Sequence, residues 1–439
     1  MNKKTGIAKE LVAFSMPLIL SGILQQLYNW ADAFIVGHSG ANGEMMLAAV
    51  GATSIITIVL VTTITGFTLG LSILAAQEYG RGNLEMISRL AAVFLPIFSG
   101  IYAVFALGGI MLLRPILQIM GMPPEIFEYS CTYLQIVLVG IPVLAIYNLF
   151  AALFRAMGNT KVAFYAILLS SVLNIILDII LVLVLPFGVA GAAAATLISQ
   201  IVMTIFIILY GKIHYPDLMK RRKGTGFDRE AFRAGLSFGL PPMIQNSVTA
   251  VGNLVLQNFM NQFGAITVLA ITTSYRVDSL MLLPVLNLGS AVSNLIARAK
   301  GEGNAEKSRN YFVMGTVLML GVSGALTALM YFCGAEFVGF FGVTGEALEK
   351  GKIFFRDLSM FYVPFGIATV FRSALEGVGD IRYCSAVGIG TLGLRIAFSY
   401  ILRPMMWDRA IAYAEAVAWC VLLLLMVGRV VSKRGEFRR

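Results

Sequence analysis

Apolar runs long enough to cross a lipid bilayer recur from one end of this chain to the other, and no other feature limits its folding so strongly. A crossing helix needs about 20 predominantly apolar residues, because the hydrocarbon layer is about 30 Å thick. That layer holds no water for a free amide, so each crossing segment must satisfy its own backbone, as an α-helix does. The runs place spans at 11–36, 50–76, 90–113, 130–154, 163–186, 190–210, 235–260, 268–297, 311–333, 353–375, 383–402 and 410–430. The expected fold is an all-α membrane protein of twelve transmembrane helices. The composition agrees: 58% of residues are hydrophobic and 13% charged, against about 25% charged in soluble proteins. Lys3, Lys4 and Lys9 before the first span imitate a signal peptide, but the length of that span and Asp32 near its far end argue for a retained helix.

Basic residues set the expected orientation. With both termini in the cytoplasm, the segments on that side hold 25 Lys and Arg and the external loops hold 6. The net charge of +10 then marks topology and contact with anionic membrane lipid rather than nucleic acid, for which no separate basic domain exists. The expected location is the inner (plasma) membrane, and the expected working unit is a monomer. Cys131, Cys333, Cys384 and Cys420 lie in or beside spans without paired spacing, as small buried hydrophobes do.

The stretch GRGN (80–83) returns as GEGN (301–304), displaced by 221 residues. The same offset pairs Ser72 with Ser293, Ala76 with Ala297 and Ala49 with Ala270, and sets RAMGNTK (155–161) opposite EGVGDIR (376–382). One offset held over such a length is a duplication. Six spans is an even number, so the two six-helix halves insert in parallel, an architecture of secondary transporters. The expected domains are an N-terminal half at 1–210 with a cation site, a basic cytoplasmic linker at 211–234 around KRRK (220–223), and a C-terminal half at 235–439.

The repeat also disposes of an apparent protease signature. Gly377, Gly379 and Asp380 spell GxGD, but their repeat mates Ala156, Gly158 and Asn159 carry no acid and fall on a turn. Only His38 and His214 are present, so no HExxH or histidine triad can be built, and no Walker-type loop exists. No enzyme activity and no cofactor are expected.

Acids inside the spans carry the functional signal. In SVLNIILDIILVL (171–183) Asp178 is the one residue unsuited to hydrocarbon, at a cost of roughly 2.5–3.5 kcal/mol on the lenient insertion scales. Helical spacing puts Gln25, Tyr28 and Asn29 on the face of Asp32, and Ser171 and Asn174 on that of Asp178. Thr196 joins Ser199 and Gln200 on the sixth span. Counting from the adjoining loops at 1.5 Å per residue puts Asp32, Asp178 and Thr196 in one layer, roughly 7–12 Å beneath the outer surface. Two carboxylates, an amide and a hydroxyl suit a hard monovalent cation, or a proton shared between like charges. The alternative is that each aspartate bonds a neighbour and fixes helix packing. The seventh span carries Gln245, Asn246, Asn253, Gln257 and Asn258 but no acid. Arg395 stands at the repeat position of Asn174. Arg276 and Asp278, two apart, face different ways, and an ion pair elsewhere in the bundle is the expected role of each.

Together these residues resemble the multidrug and toxic compound extrusion (MATE) family over essentially the whole chain. The specific part is Asp32 in WADAFIVG, Asn174 and Asp178 in NIILD, and Thr196 in AAAATLIS. The resemblance implies that these four form a cation site, holding Na⁺ if Na⁺ is the coupling ion, and that Gln25 is a neighbouring polar position. It implies a helix bend at Pro17, which a missing amide donor permits. It further implies a Na⁺- or H⁺-coupled antiporter that exports amphipathic, often cationic drugs and toxic compounds by alternating access, and so confers antibiotic resistance. Gln25, Tyr28 and Asn29 are then candidate substrate contacts. Some members place coupling acids on helices seven and ten; this chain has none in 237–262 or 361–375, which argues against coupling through its second half. The runner-up is a lipid-linked oligosaccharide flippase of the same broad superfamily, which would need a large cationic cavity. A non-transporting scaffold has no use for a duplicated bundle with buried acids.

The basic asymmetry makes a direct prediction. In a Cys-free variant, single cysteines at Lys220 and Gly345 should react with an impermeant maleimide from opposite sides, Gly345 from outside. Labelling of both from outside intact cells would overturn this orientation.

Overall fold

The computed structural model describes residues 3–40, 42–219 and 227–437, so KRRK (220–223) lies outside the described residues. Twelve long helical stretches follow one another. They are α1 (Lys3–Gly37), α2 (Gly43–Gly80), α3 (Leu84–Met111), α4 (Pro124–Ala156), α5 (Thr160–Asp178, continued as a π-helix over Ile179–Val184) and α6 (Gly188–His214). Then come α7 (Arg229–Met260), α8 (Ala265–Met281 and Leu283–Gly301), α9 (Ala305–Phe340), α10 (Gly345–Leu358 and Tyr362–Gly377), α11 (Ile381–Met406) and α12 (Ala410–Ser432). No strand occurs among the described residues. Ten stretches are long and apolar enough to cross a membrane, and one of them, Ile381–Ser432, holds both α11 and α12. The remaining crossing is α7, whose Gln245, Asn246, Asn253, Gln257 and Asn258 dilute its apolar character. The protein is an integral membrane protein of the expected all-helical class.

The duplication is visible in the backbone. Asn83 caps α3 by accepting the Met86 amide at 3.1 Å, and Asn304 caps α9 by accepting that of Lys307 at 2.8 Å. The glycines before them, Gly82 and Gly303, have φ of +74° and +69°. At the second repeated turn Gly158 and Gly379 have φ of +89° and +90°, a region that favours glycine. Asp380 ends in ion pairs with Arg429 (2.7 Å) and Lys433 (3.3 Å), while Asn159 Nδ2 donates to the Tyr210 hydroxyl at 3.0 Å. The GxGD aspartate therefore ties its turn to the end of α12.

Contacts group the chain into two compact units, Leu20–Tyr79 with Asn83–Gly239, and Met1–Ile19 with Gly80–Gly82 and Leu240–Arg439. This division differs from the expected one at 211–234, because the chain changes unit inside α1 and α7 rather than in a loop. The change falls two residues after Pro17 in α1, and beside Pro241 and Pro242 in α7. The physical reason lies in what each helix segment buries. Leu11, Phe14 and Leu18 of α1 pack in one core with Leu295, Leu375 and Met426. The first part of α7 belongs to the other unit, where Gly235 and Gly239 lie under the rings of Phe94 and Phe67. Those rings meet at a tilt with centroids 5.2 Å apart, and Phe67 meets Phe98 edge-on at 5.2 Å as well. Arg89 of α3 bonds Asp228 and also Glu230 (2.5 Å), and Asp228 caps α7 through the Ala231 amide at 3.0 Å. The Arg89 hydrogen bond holds the Asp228 carboxyl down at about 2.

The tightest approach in this unit is between α2 and α7. A Cβ on Gly70 would lie 1.9 Å from the Phe238 carbonyl oxygen, which as backbone cannot swing away. Gly70→Ala should therefore lower thermal stability in detergent, by about 1–3 kcal/mol as overpacking generally does. Gly108→Ala, in open space, should be neutral or gain about 0.5–1 kcal/mol from helix propensity. Equal melting temperatures would show that the α2–α7 contact is not tight.

Candidate functional site

The site is built where α1, α4, α5 and α6 meet in the unit that contains residues 20–79. Asp32 of α1 and Asp178 of α5 bring their carboxylates within hydrogen-bonding reach of each other. Asp178 is fully buried and Asn174, one turn earlier, is 2% exposed. Two ionised carboxylates are acceptors only, so neither can satisfy the other. Among the described residues, Asp32 Oδ1, both Asp178 oxygens and both polar atoms of Asn174 have no hydrogen-bond partner. The buried hydroxyls of Ser171 and Ser199 likewise have none there. Buried polar atoms are nearly always paired, so several unpaired ones in one place mark a site that packing does not explain.

Local structure explains the placement. Asp178 is the last α-helical residue of α5, and the wider π-helical turn begins at Ile179. Single π turns within helices are rare and often mark functional positions. Four residues beyond each aspartate stand Val36 and Val182, which pack with Ala192 of α6 into an apolar cluster. This cluster closes the carboxylate pair off on the side of the Gly37 turn. In the other direction Tyr28 lies within electrostatic reach of Asp32 and within hydrogen-bonding reach of Gln25. Tyr133 of α4 faces Asp32, Asp178 and Tyr28 together.

The sequence-derived set fares unevenly in position. Asp32, Asn174 and Asp178 come together, and Thr196 is half-buried on α6, which packs along α5. Gln25 and Asn29 are exposed, with Asn29 donating to Gln26 at 3.4 Å, and Tyr28 is half-buried. Pro17 sits inside an unbroken α1 and falls in the other unit. Sequence reasoning missed Tyr133, because one tyrosine in an apolar helix is ordinary.

The second unit has its own polar cluster, also missed in part. Arg395 donates to Glu415 at 3.0 Å and to the Tyr275 hydroxyl at 3.0 Å, and that hydroxyl donates to Glu415 at 2.9 Å. Asp278 accepts from Tyr362, so its direct partner is a hydroxyl where an ion pair was expected, and Arg276 is exposed. Glu415 was legible by the signal that exposed Asp178, an acid in an apolar run (AYAEAVAWC).

A bundle of twelve long helices with a carboxylate pair buried between two of them has the architecture of a membrane transporter. The MatE family model matches residues 17–180 and 241–401, and the chain belongs to that family. Its members are transporters, and the chain is not an enzyme. It is 24% identical to the probable multidrug resistance protein YoeA of Bacillus subtilis, over 99% of this chain and 96% of that one. An outward-facing multidrug resistance MATE family transporter of the MOP superfamily shares the fold at a TM-score of 0.90 and 22% identity, covering 98% and 97% of the two chains. A MOP superfamily transporter from Pyrococcus furiosus, for which a reversed pocket polarity suggests a different function, also aligns with a TM-score of 0.90 and 22% identity, over 99% and 97%.

If the aspartates face each other without a donor, an amide in place of one supplies it. Asp178→Asn should melt at or above the wild-type temperature in Na⁺-free buffer at pH 8, since a hydrogen bond to a charged group contributes about 1.5–3 kcal/mol. A clear fall in melting temperature would mean that the Asp178 carboxylate has partners of its own.

Proposed function

We propose that the protein is a cation-coupled antiporter exporting amphipathic, often cationic compounds across the inner membrane, with both termini in the cytoplasm. The observation that carries this reading is the acceptor-only pair Asp32–Asp178 beside an unpartnered Asn174. Such a group is costly without a positive charge and favourable with one. Asp32, Asn174, Asp178 and Thr196 supply the oxygens, and the coupling ion is Na⁺ or H⁺. Cation at this site favours one arrangement of the two halves and drug the other, which is alternating access by differential affinity. Gln25, Tyr28 and Asn29, on the face of α1 that carries Asp32, contact the exported compound. Relatives named as multidrug resistance proteins support the substrate class.

The flippase reading requires uncompensated cations to hold a pyrophosphate. Against it, Arg395 is paired with Glu415 at 3.0 Å and Arg372 with Glu376 at 2.7 Å. These two guanidiniums are already balanced by buried carboxylates, which leaves Arg155, with a buried Nε that has no partner among the described residues, as a single cation rather than a cationic cavity.

Two measurements test the reading. Vesicles loaded with a cationic dye should move it when given a Na⁺ or pH gradient, and Asp178→Asn should not. Gradient-independent scrambling of a pyrophosphate-linked lipid, with no dye movement, would favour the flippase. For the ion, Na⁺ should stabilise the purified protein at pH 8, less at pH 6 where protons compete for the same oxygens, and not at all in Asp32→Asn. Ligand linkage gives about 2.7 kcal/mol at a hundred times Kd, enough to see in a melting curve. Stabilisation that persists in both Asp32→Asn and Asp178→Asn would place the cation elsewhere.

A further inference from the structure

The cluster in the second unit is one positive charge short. Its ionisable members are Arg395 of α11, Glu415 of α12 and Asp278 of α8, with the hydroxyls of Tyr275 and Tyr362 between them. Asp278 is 5% exposed, Glu415 6% and Tyr362 fully buried. One guanidinium faces two carboxylates in the apolar core of a membrane protein, where an uncompensated charge is costly.

The hydrogen bonds show where the missing charge belongs. Glu415 takes both charged and neutral donors, from Arg395 and Tyr275, each bonded within 3.0 Å. Among the described residues, Asp278 takes only the neutral hydroxyl of Tyr362. Arg395 and Glu415 act on Asp278 electrostatically without bonding it. Among the described residues, the other charges on helices packed against α8 are paired away from Asp278, Arg372 of α10 with Glu376 at 2.7 Å among them. The stretch of α9 from Phe312 to Met330 contains no ionisable residue. Charges on the first part of α10 and beside α12 are engaged with one another, Asp357 with Arg409 at 2.7 Å and Lys350 with Asp408 at 2.6 Å. Arg276, two residues along α8, points away and is exposed.

We propose that Asp278 is a proton-binding site of the second unit, separate from the Asp32–Asp178 pair, with Tyr362 as its hydrogen-bond partner. The ligand is a proton rather than a metal ion. Asp278 and Tyr362 offer too few oxygens for a hard cation, which takes about six, and the hydroxyl hydrogen already points at the carboxylate. The proton gives the second unit a response to pH that does not pass through the first. This goes beyond the coupling reading above, which rests on the first unit alone.

Infrared spectroscopy of the purified full-length protein tests it without measuring transport. At pH 7 the wild-type minus Asp278→Asn difference spectrum should contain the C=O band of a protonated carboxyl, shifted in D₂O. The band should remain in Asp32→Asn and Asp178→Asn. It should disappear in Glu415→Gln, where Arg395 alone then balances an ionised Asp278. A carboxylate band in that difference spectrum, or a protonated band unaffected by Glu415→Gln, would overturn the proposal. Should Asp278→Asn fail to fold, Tyr362→Phe still decides: loss of the donor must displace the band, and an unmoved band overturns the assignment. Failure of dye export in the first-unit variants changes none of these outcomes, so the two readings fail separately.

Discussion

A carboxylate without a counter-charge in the hydrocarbon layer costs roughly 2.5–3.5 kcal/mol at the least, and the architecture of both units is organised around that cost. In the first, Asp32 and Asp178 face each other and share it, with the apolar Val36, Val182 and Ala192 packed one turn away. In the second, Arg395 of α11, Tyr362 of α10 and Tyr275 of α8 itself meet Glu415 and Asp278. Folding alone would favour apolar residues at all of these positions, since well-packed hydrophobes often replace buried ion pairs without loss. Their presence is therefore not explained by packing alone.

The same constraint explains what could be read from the chain before its structure. Twelve crossings were legible because a backbone in lipid has almost no alternative to the helix. Asp32, Asn174 and Asp178 were legible because each interrupts an apolar stripe at helical spacing. The π-helical turn after Asp178 was not, for Ile-Ile-Leu-Val-Leu-Val carries no turn residue or other mark of a change in hydrogen-bond register. Tyr133 was hidden by its ordinariness. Glu415 was visible in principle and passed over because its partner, Arg395, lies in the preceding helix rather than on its own face.

The unit boundaries were the least legible feature, and their physics is instructive. A loop is the natural place to divide a chain, yet here the division runs through α1 and α7, beside Pro17 and the Pro241–Pro242 pair. Proline deletes an amide donor and so weakens a helix locally without ending it when neighbours pack around it. A helix interrupted in this way can commit its two ends to different cores. Glycines make the commitment tight: Gly235 and Gly239 seat one end of α7 beneath Phe94 and Phe67, where any side chain would collide with a ring.

Duplication then accounts for both the likeness and the difference between the two polar clusters. The turns kept their glycines and their geometry, with φ of +89° and +90° at Gly158 and Gly379, because turn stereochemistry tolerates little else. The polar positions diverged within the same pair of helices. Arg395 occupies the place of Asn174, and Glu415 matches Ala194, two residues before Thr196. One copy therefore holds two acids with an amide, the other two acids with a guanidinium. Beside an amide the acids of the first cluster keep unpartnered oxygens, whereas the guanidinium of the second bonds Glu415 and leaves Asp278 to the Tyr362 hydroxyl. The two clusters thus differ at several positions, for Asp178 stands opposite Ser399, Asp32 opposite Asn253 and Asp278 opposite Thr57.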